Sequence, residues 1–196
     1  MNIKSNRSMY IVLTSLLLVV FVFGALTLNR AAQAQQQPEV LEFDIAEDMS
    51  RFIFNQDIVF EDGFPADGSN FITRGYIYPA GTLTDSSGVN PDGSPEFPEL
   101  VLGEWICEGT MINDAAHATE GVWVFSTQFF QLSDVPGAET ISTVGYELAD
   151  LNVAITRAIT GGTGAYSEAR GESEQMLLGF NASEGVNLRV KLMPTQ

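Results

Sequence analysis

The chain has 196 residues, with nine Lys and Arg against 25 Asp and Glu, a net charge of −16 and one cysteine. A charge of that sign repels phosphate backbones, which argues against nucleic acid as a partner. A lone cysteine excludes an internal disulfide, so the folded part must hold by its core or by oligomerisation.

The N-terminal segment reads as an export signal rather than as fold. Lys4 and Arg7 precede an apolar run over 10–28, and Ala32-Gln33-Ala34 follows as a small-x-small triplet. Basic, apolar and small-residue regions in that order make a secretory signal peptide over 1–34, with cleavage after Ala34. The alternative is an uncleaved anchor, because the run approaches the ~20 residues that span hydrocarbon. Both readings hold the N-terminus in the cytoplasm and send the rest out, and only the anchor makes the membrane a partner. Cleavage removes three of the nine basic residues and no acid, so six face 25 and the net charge becomes −19.

Residues 35–39 form a polar leader, and 40–196 are one domain by length. Over 40–47, Leu41, Phe43 and Ile45 alternate with Glu42 and Asp44, the period of a strand. Residues 51–60 read as an extended arm, 61–70 as turns, 71–79 as a strand, and 84–98 as a long loop rich in Gly, Pro, Ser and Asp. Further strands are predicted at 100–110, 117–132, 140–148, 153–160, 169–180 and 186–193. The count is eight without the arm, and no stretch shows a helical period. Short turns between successive strands imply antiparallel meandering. The predicted fold class is all-β, an eight-stranded antiparallel meander barrel, with a β-sandwich as the alternative that pattern alone leaves open.

Some chemistries lack their residues. His117 is the one histidine, and no cysteine cluster exists, so no metal site is predicted. A Ser-His-Asp triad would need His117, yet G-x-S-x-G is missing. Asn181-Ala182-Ser183 is a formal glycosylation sequon. The Asp- and Gly-bearing loops at 61–70 and 85–93 do not match a twelve-residue calcium loop and read as turns.

The most specific segment is I-T-G-G-T-G-A-Y at 159–166, followed by A-R-G at 169–171. Gly161, Gly162 and Gly164 permit a sharp reversal, and no Lys-Ser or Lys-Thr follows to make a phosphate loop. The segment resembles the glycine-rich hairpin of dirigent proteins and the similar turn of allene oxide cyclases. Residues 102–109, 117–130 and 140–148 resemble the strands preceding it in that group.

The resemblance implies a closed barrel with an apolar pocket, a homotrimer, and action by shape without metal or organic cofactor. The ligand would be a small hydrophobic or aromatic molecule. In dirigent-type steering a separate oxidant enzyme supplies the radicals, whereas cyclase-type action isomerises a reactive lipid-like substrate; holding one near-attack conformer serves either. A structural barrel without ligand is the third reading. The resemblance places a pocket acid at Asp44 and a ligand-facing arginine at Arg170, the two catalytic candidates. It departs at Ala46, where the cyclases carry an Asn, and this argues against true allene oxide cyclisation. Cys107, which alternates with Trp105 and Gly109, falls where those cyclases carry a pocket cysteine. Trp105, Cys107, Phe125, Tyr146 and Tyr166 are the ligand-binding candidates, with Tyr76, Trp123 and Phe129 as further aromatics.

Overall fold

A computed structural model describes residues 40–195. The expected signal peptide and leader lie outside the described residues.

Nine strands follow one another: β1 (Leu41–Glu47), β2 (Ile53–Phe54), β3 (Asn70–Pro79), β4 (Gly103–Met111), β5 (Val122–Gln131), β6 (Thr140–Leu148), β7 (Ala154–Gly162), β8 (Arg170–Phe180) and β9 (Val186–Thr195). The eight long ones match the eight predicted in number and order, but β5 begins at Val122 rather than 117 and β4 at Gly103 rather than 100, because 3-10 turns at Ala115–His117 and Pro98–Leu100 precede them. Strands β3 to β9 form an antiparallel meander. Strand β1 pairs with β9 on one side (Ile45 opposite Leu188) and with β3 on the other (Ile45 opposite Ile77), which closes the sheet into an eight-stranded barrel. The sandwich alternative is thereby excluded. The two residues of β2 belong to the predicted arm and pair with the start of β3, Ile53 opposite Ile72.

Side-chain parity follows from closure. Phe43 and Ile45 of β1, Ile77 of β3, Trp105 and Cys107 of β4, Val124 and Phe130 of β5, Ile141 of β6, Ile159 of β7, and Leu188, Val190 and Leu192 of β9 share one core inside the barrel. These residues recur at every second position, as a half-buried strand requires. Strand β1 departs from the rule, because both of its faces are buried. Its outer face lies beneath the predicted loop, which crosses it as a strap over 80–102. Leu83 and Val89 of the strap pack on Ala46 and Tyr78 in a second apolar cluster. The Tyr78 hydroxyl donates to the Gly88 carbonyl at 2.7 Å, and the Leu102 N–H donates to the Ile77 carbonyl at 2.8 Å.

Two hairpins of like sequence, V-x-x-D-G-x-P at 59–65 and 89–95, repeat one turn design. Val59 bridges Pro65 and Val89 bridges Pro95. In each, the Asp side chain accepts the backbone N–H two residues on, Asp62 from Phe64 at 3.2 Å and Asp92 from Ser94 at 3.0 Å. His117 closes a short 3-10 turn at Ala115–His117, stacks on Phe60 with centroids 4.0 Å apart, and meets the Asp62 carboxylate at 2.8 Å. It ties the first hairpin to the β4–β5 connection.

The glycines of the recognition segment have separate roles. Gly164 takes a positive φ of +59°, and a Cβ there would overlap the Ala138 carbonyl oxygen. Gly162 has ordinary φ but lies against the Thr140 and Tyr166 carbonyls, where a Cβ would clash. Gly161 has room for one, its nearest neighbour being Arg170 at 3.5 Å. Gly164→Ala is therefore expected to lose about 2 kcal/mol or more, while Gly161→Ala is neutral or slightly stabilising. Denaturant midpoints of the two variants measure the difference; equal midpoints would refute the steric account.

Candidate functional site in the barrel mouth

A cavity of about 40 Å³ lies in the barrel end where β1 and β4 finish and β5 and β9 begin. Its walls are Phe52, Phe71, Trp105, Met111, Trp123, Val124 and Val186, and its polar groups are Glu47, Thr73, Cys107 and Glu147. Phe52 comes from the arm after β1 and stacks on Phe71 with centroids 5.3 Å apart. Arg51 holds that arm, with bonds of 2.7 Å to Asp48 and 2.8 Å to Glu104. Trp123 sits at a bulge that shifts the β5–β6 register between Val122 and Val124.

The two carboxylates differ in their compensation. Glu147 accepts from the Ser126 hydroxyl, from Gln128 Nε2 at 3.0 Å and from Gln175 Nε2 at 3.2 Å. The Arg157 guanidinium stands 3.7 Å away, and both side chains are buried. Arg157 is held in turn by the Ser126, Gly145 and Tyr146 carbonyls at 3.0, 3.2 and 3.0 Å. A buried ion pair of this kind survives because its remaining hydrogen-bonding capacity is largely used. Glu47 pairs with no cation among the described residues; it accepts the Val186 N–H at 2.8 Å. Burial is the main force pushing its carboxyl up to about 7, and the Glu147 charge adds to it. Glu47 is therefore a group that can give or take a proton near neutrality. Cys107 lies 3.5 Å from Glu147, and burial, reinforced by that charge, pushes its thiol well above its ordinary value. It is a thiol at neutral pH and no nucleophile.

The candidates read from the sequence are divided by this geometry. Trp105 and Cys107 line the cavity. Asp44 does not enter the lumen: it is buried on the outer face of β1 beneath the strap, where Arg189 bonds it at 2.8 and 3.1 Å and the Leu83 N–H at 2.9 Å. Arg170 is exposed and donates to the Ala169 carbonyl, while its strand turns Ser173 and Gln175 inward. Phe125 and Tyr146 pair edge to face on the outer surface, 44% and 51% exposed. Tyr166 packs on the core from the β7–β8 turn, at the opposite end of the barrel. Glu47, Glu147 and Arg157 were missed, although each keeps step with an inward apolar residue of its own strand: Ile45, Ile141 and Ile159. The Asn181 amide of the sequon is engaged, donating to the Glu47 carbonyl at 2.8 Å and to Asn187 at 3.2 Å. No group of three or more metal-ligating side chains occurs among the described residues.

The raised Glu47 value fixes the sign of a pH effect. Between the unfolded value of 4.5 and the folded value of about 7, the native state binds the extra proton. Stability is therefore full below the lower value and is lost as pH rises through the upper one. From about pH 5 to about pH 8, the wild type should lose about 3 kcal/mol relative to Glu47→Gln. Urea melts of both proteins across that range test it, and parallel curves would refute it.

No protein-family model matches the sequence, and no curated protein matches it. Among solved structures, the chain is similar to a pyocyanin demethylase at 16% identity and a TM-score of 0.50, over 80% of this chain and 100% of that one. It is also similar to two pterocarpan synthase dirigent proteins. One aligns at 15% identity and TM-score 0.52, over 79% of this chain and 84% of the other. The second aligns at 16% identity and TM-score 0.52, over 82% and 99%. At such identity the likeness is one of fold, and it agrees with the strand order and closure described above. The chain therefore shares the eight-stranded barrel fold of these dirigent proteins.

Proposed function

We propose that this protein is an exported barrel that holds a small hydrophobic or aromatic molecule in its mouth, steers the molecule's conformation, and exchanges a proton with it through Glu47. One observation carries the reading: a buried carboxyl with no cation beside it among the described residues, which burial pushes up to about 7, stands in a cavity walled mainly by aromatic and aliphatic side chains. A structural barrel would gain nothing from an uncompensated acid buried at that point. Orientation by flat walls and one proton-transfer group suffice for an isomerisation or a stereochemical choice without metal or organic cofactor.

The free space of about 40 Å³ holds only a few waters. A ligand of ordinary size needs several times that. Phe52, on the arm, and Trp123, at the bulge, are the half-buried walls that must move outward to admit it. The narrow cavity also favours the second reading, a barrel filled by its own side chains.

Native mass spectrometry of the protein from its own host separates the two readings and reports the proposed homotrimer in the same spectrum. The expected result is a retained mass of a few hundred daltons per chain, with Phe52→Ala exchanging it faster. A bare protein, unchanged after exposure to lipid and phenolic extracts, would leave the structural reading.

A further inference from the structure

The cavity contains two donors that neither proton exchange nor packing uses. The chain has two tryptophans, Trp105 and Trp123, and both line this cavity. Each indole Nε1–H is shielded from solvent and finds no acceptor among the described residues. Trp105 is fully buried, 1% exposed, so its N–H has no recourse to bulk water. An indole N–H can only donate. Buried donors of this kind ordinarily have partners.

The rest of the wall says what the partner must be. Phe52, Phe71, Met111, Val124 and Val186 are flat or aliphatic and offer no hydrogen bond to a ligand. The carboxylates already have donors: Val186 N–H on Glu47, and Ser126, Gln128 and Gln175 on Glu147. An anionic ligand would meet both carboxylates in a chain of net charge −16 and be repelled. A cation would suit the carboxylates but leave both indoles unpaired. The fitting ligand is planar, neutral and apolar, with one oxygen that accepts.

We propose that the barrel mouth selects neutral conjugated carbonyl compounds, whose carbonyl oxygen accepts hydrogen bonds from the indole N–H groups of Trp105 and Trp123. The inference rests on the ligand-holding reading above and adds the ligand's chemical class.

Two tryptophans give two indole N–H signals in a nitrogen-15 spectrum of the full-length chain. Three probes of nearly one shape are titrated at about pH 8: benzalacetone, a neutral conjugated ketone; (3-methylbuta-1,3-dienyl)benzene, the hydrocarbon in which a methylene replaces the ketone oxygen; and cinnamate, the anionic counterpart. Benzalacetone should move both signals downfield to saturation, and cinnamate should move neither. The hydrocarbon should bind about tenfold more weakly than the ketone. Trp123→Phe, at the half-buried position, should remove one signal and weaken the ketone about fivefold more than it weakens the hydrocarbon. Trp105→Phe assigns the other signal. Hydrocarbon binding as tight as the ketone's, with the indole signals unmoved, would overturn the carbonyl anchor and leave the ligand-holding barrel standing. Cinnamate binding as well as the ketone would overturn selection for a neutral ligand. Failure of all three probes to bind would overturn both.

Discussion

Strand β1 hydrogen-bonds to β3 on one side and to β9 on the other, and this double pairing decides what every other strand can do. A sheet with free edges would offer unpaired backbone to other chains; closure removes the edges. Closure also makes side-chain parity absolute, since a residue is either in the lumen or outside it, and a slip of one position would exchange the two sets. Ile45 opposite both Leu188 and Ile77 shows the register that results. The strap over 80–102 then covers the outside of β1 together with Tyr78 of the neighbouring β3, so the closing strand is buried on both faces.

Parity sets a small number of polar residues among the apolar ones of the lumen, and the protein treats their charges unequally. Glu147 and Arg157 neutralise each other, and amides, hydroxyls and carbonyls take up much of what remains. The pair is costly to desolvate and difficult to break, which suits it to fixing the inner geometry. Glu47 has the Thr73 hydroxyl and the Val186 N–H for company, no cation among the described residues, and neighbours of its own sign. An acid in that position titrates where the interior allows rather than where water does. Asp44, three residues earlier on the other face, is equally buried and has a cation: Arg189 bonds it, and so does the Leu83 N–H.

Much of the fold was legible in the sequence because alternation and turn chemistry are local. The eight strands, the arm and the loop that becomes the strap could be read from β-branched and aromatic runs broken by Gly, Pro, Asn and Asp. Closure could be argued only from strand count and from the resemblance, since the β1–β3 and β1–β9 pairs leave no local mark. The site was less legible. Asp44 was placed by resemblance, while its own strand argued otherwise: Leu41, Phe43 and Ile45 run in step, and Asp44 is out of step with them. Continuing the same count reaches Glu47. Arg170 fails in the same way, since inward Ser173 and Gln175 lie on the other parity, and Arg157 keeps step with Ile159. Phe125 and Tyr146 are aromatic but outward, which residue type cannot reveal. Trp105 and Cys107 do lie inside the barrel and line its cavity, as their alternation suggests.

The pairing of β1 with β9 also has a consequence in time. Glu42 faces Lys191 and Ile45 faces Leu188, so β1 waits for β9, the last strand among the described residues. Contacts across nearly the whole sequence close slowly, because chain entropy is lost before they form. Hairpins from β3 onward can assemble as they emerge, but the ring cannot. Until the C-terminal strand arrives, β1 has β3 as its one available neighbour, and the lumen, with its acids and indoles, stays open to water. Closure of the ring is therefore the step that shuts the lumen, and it depends on β9.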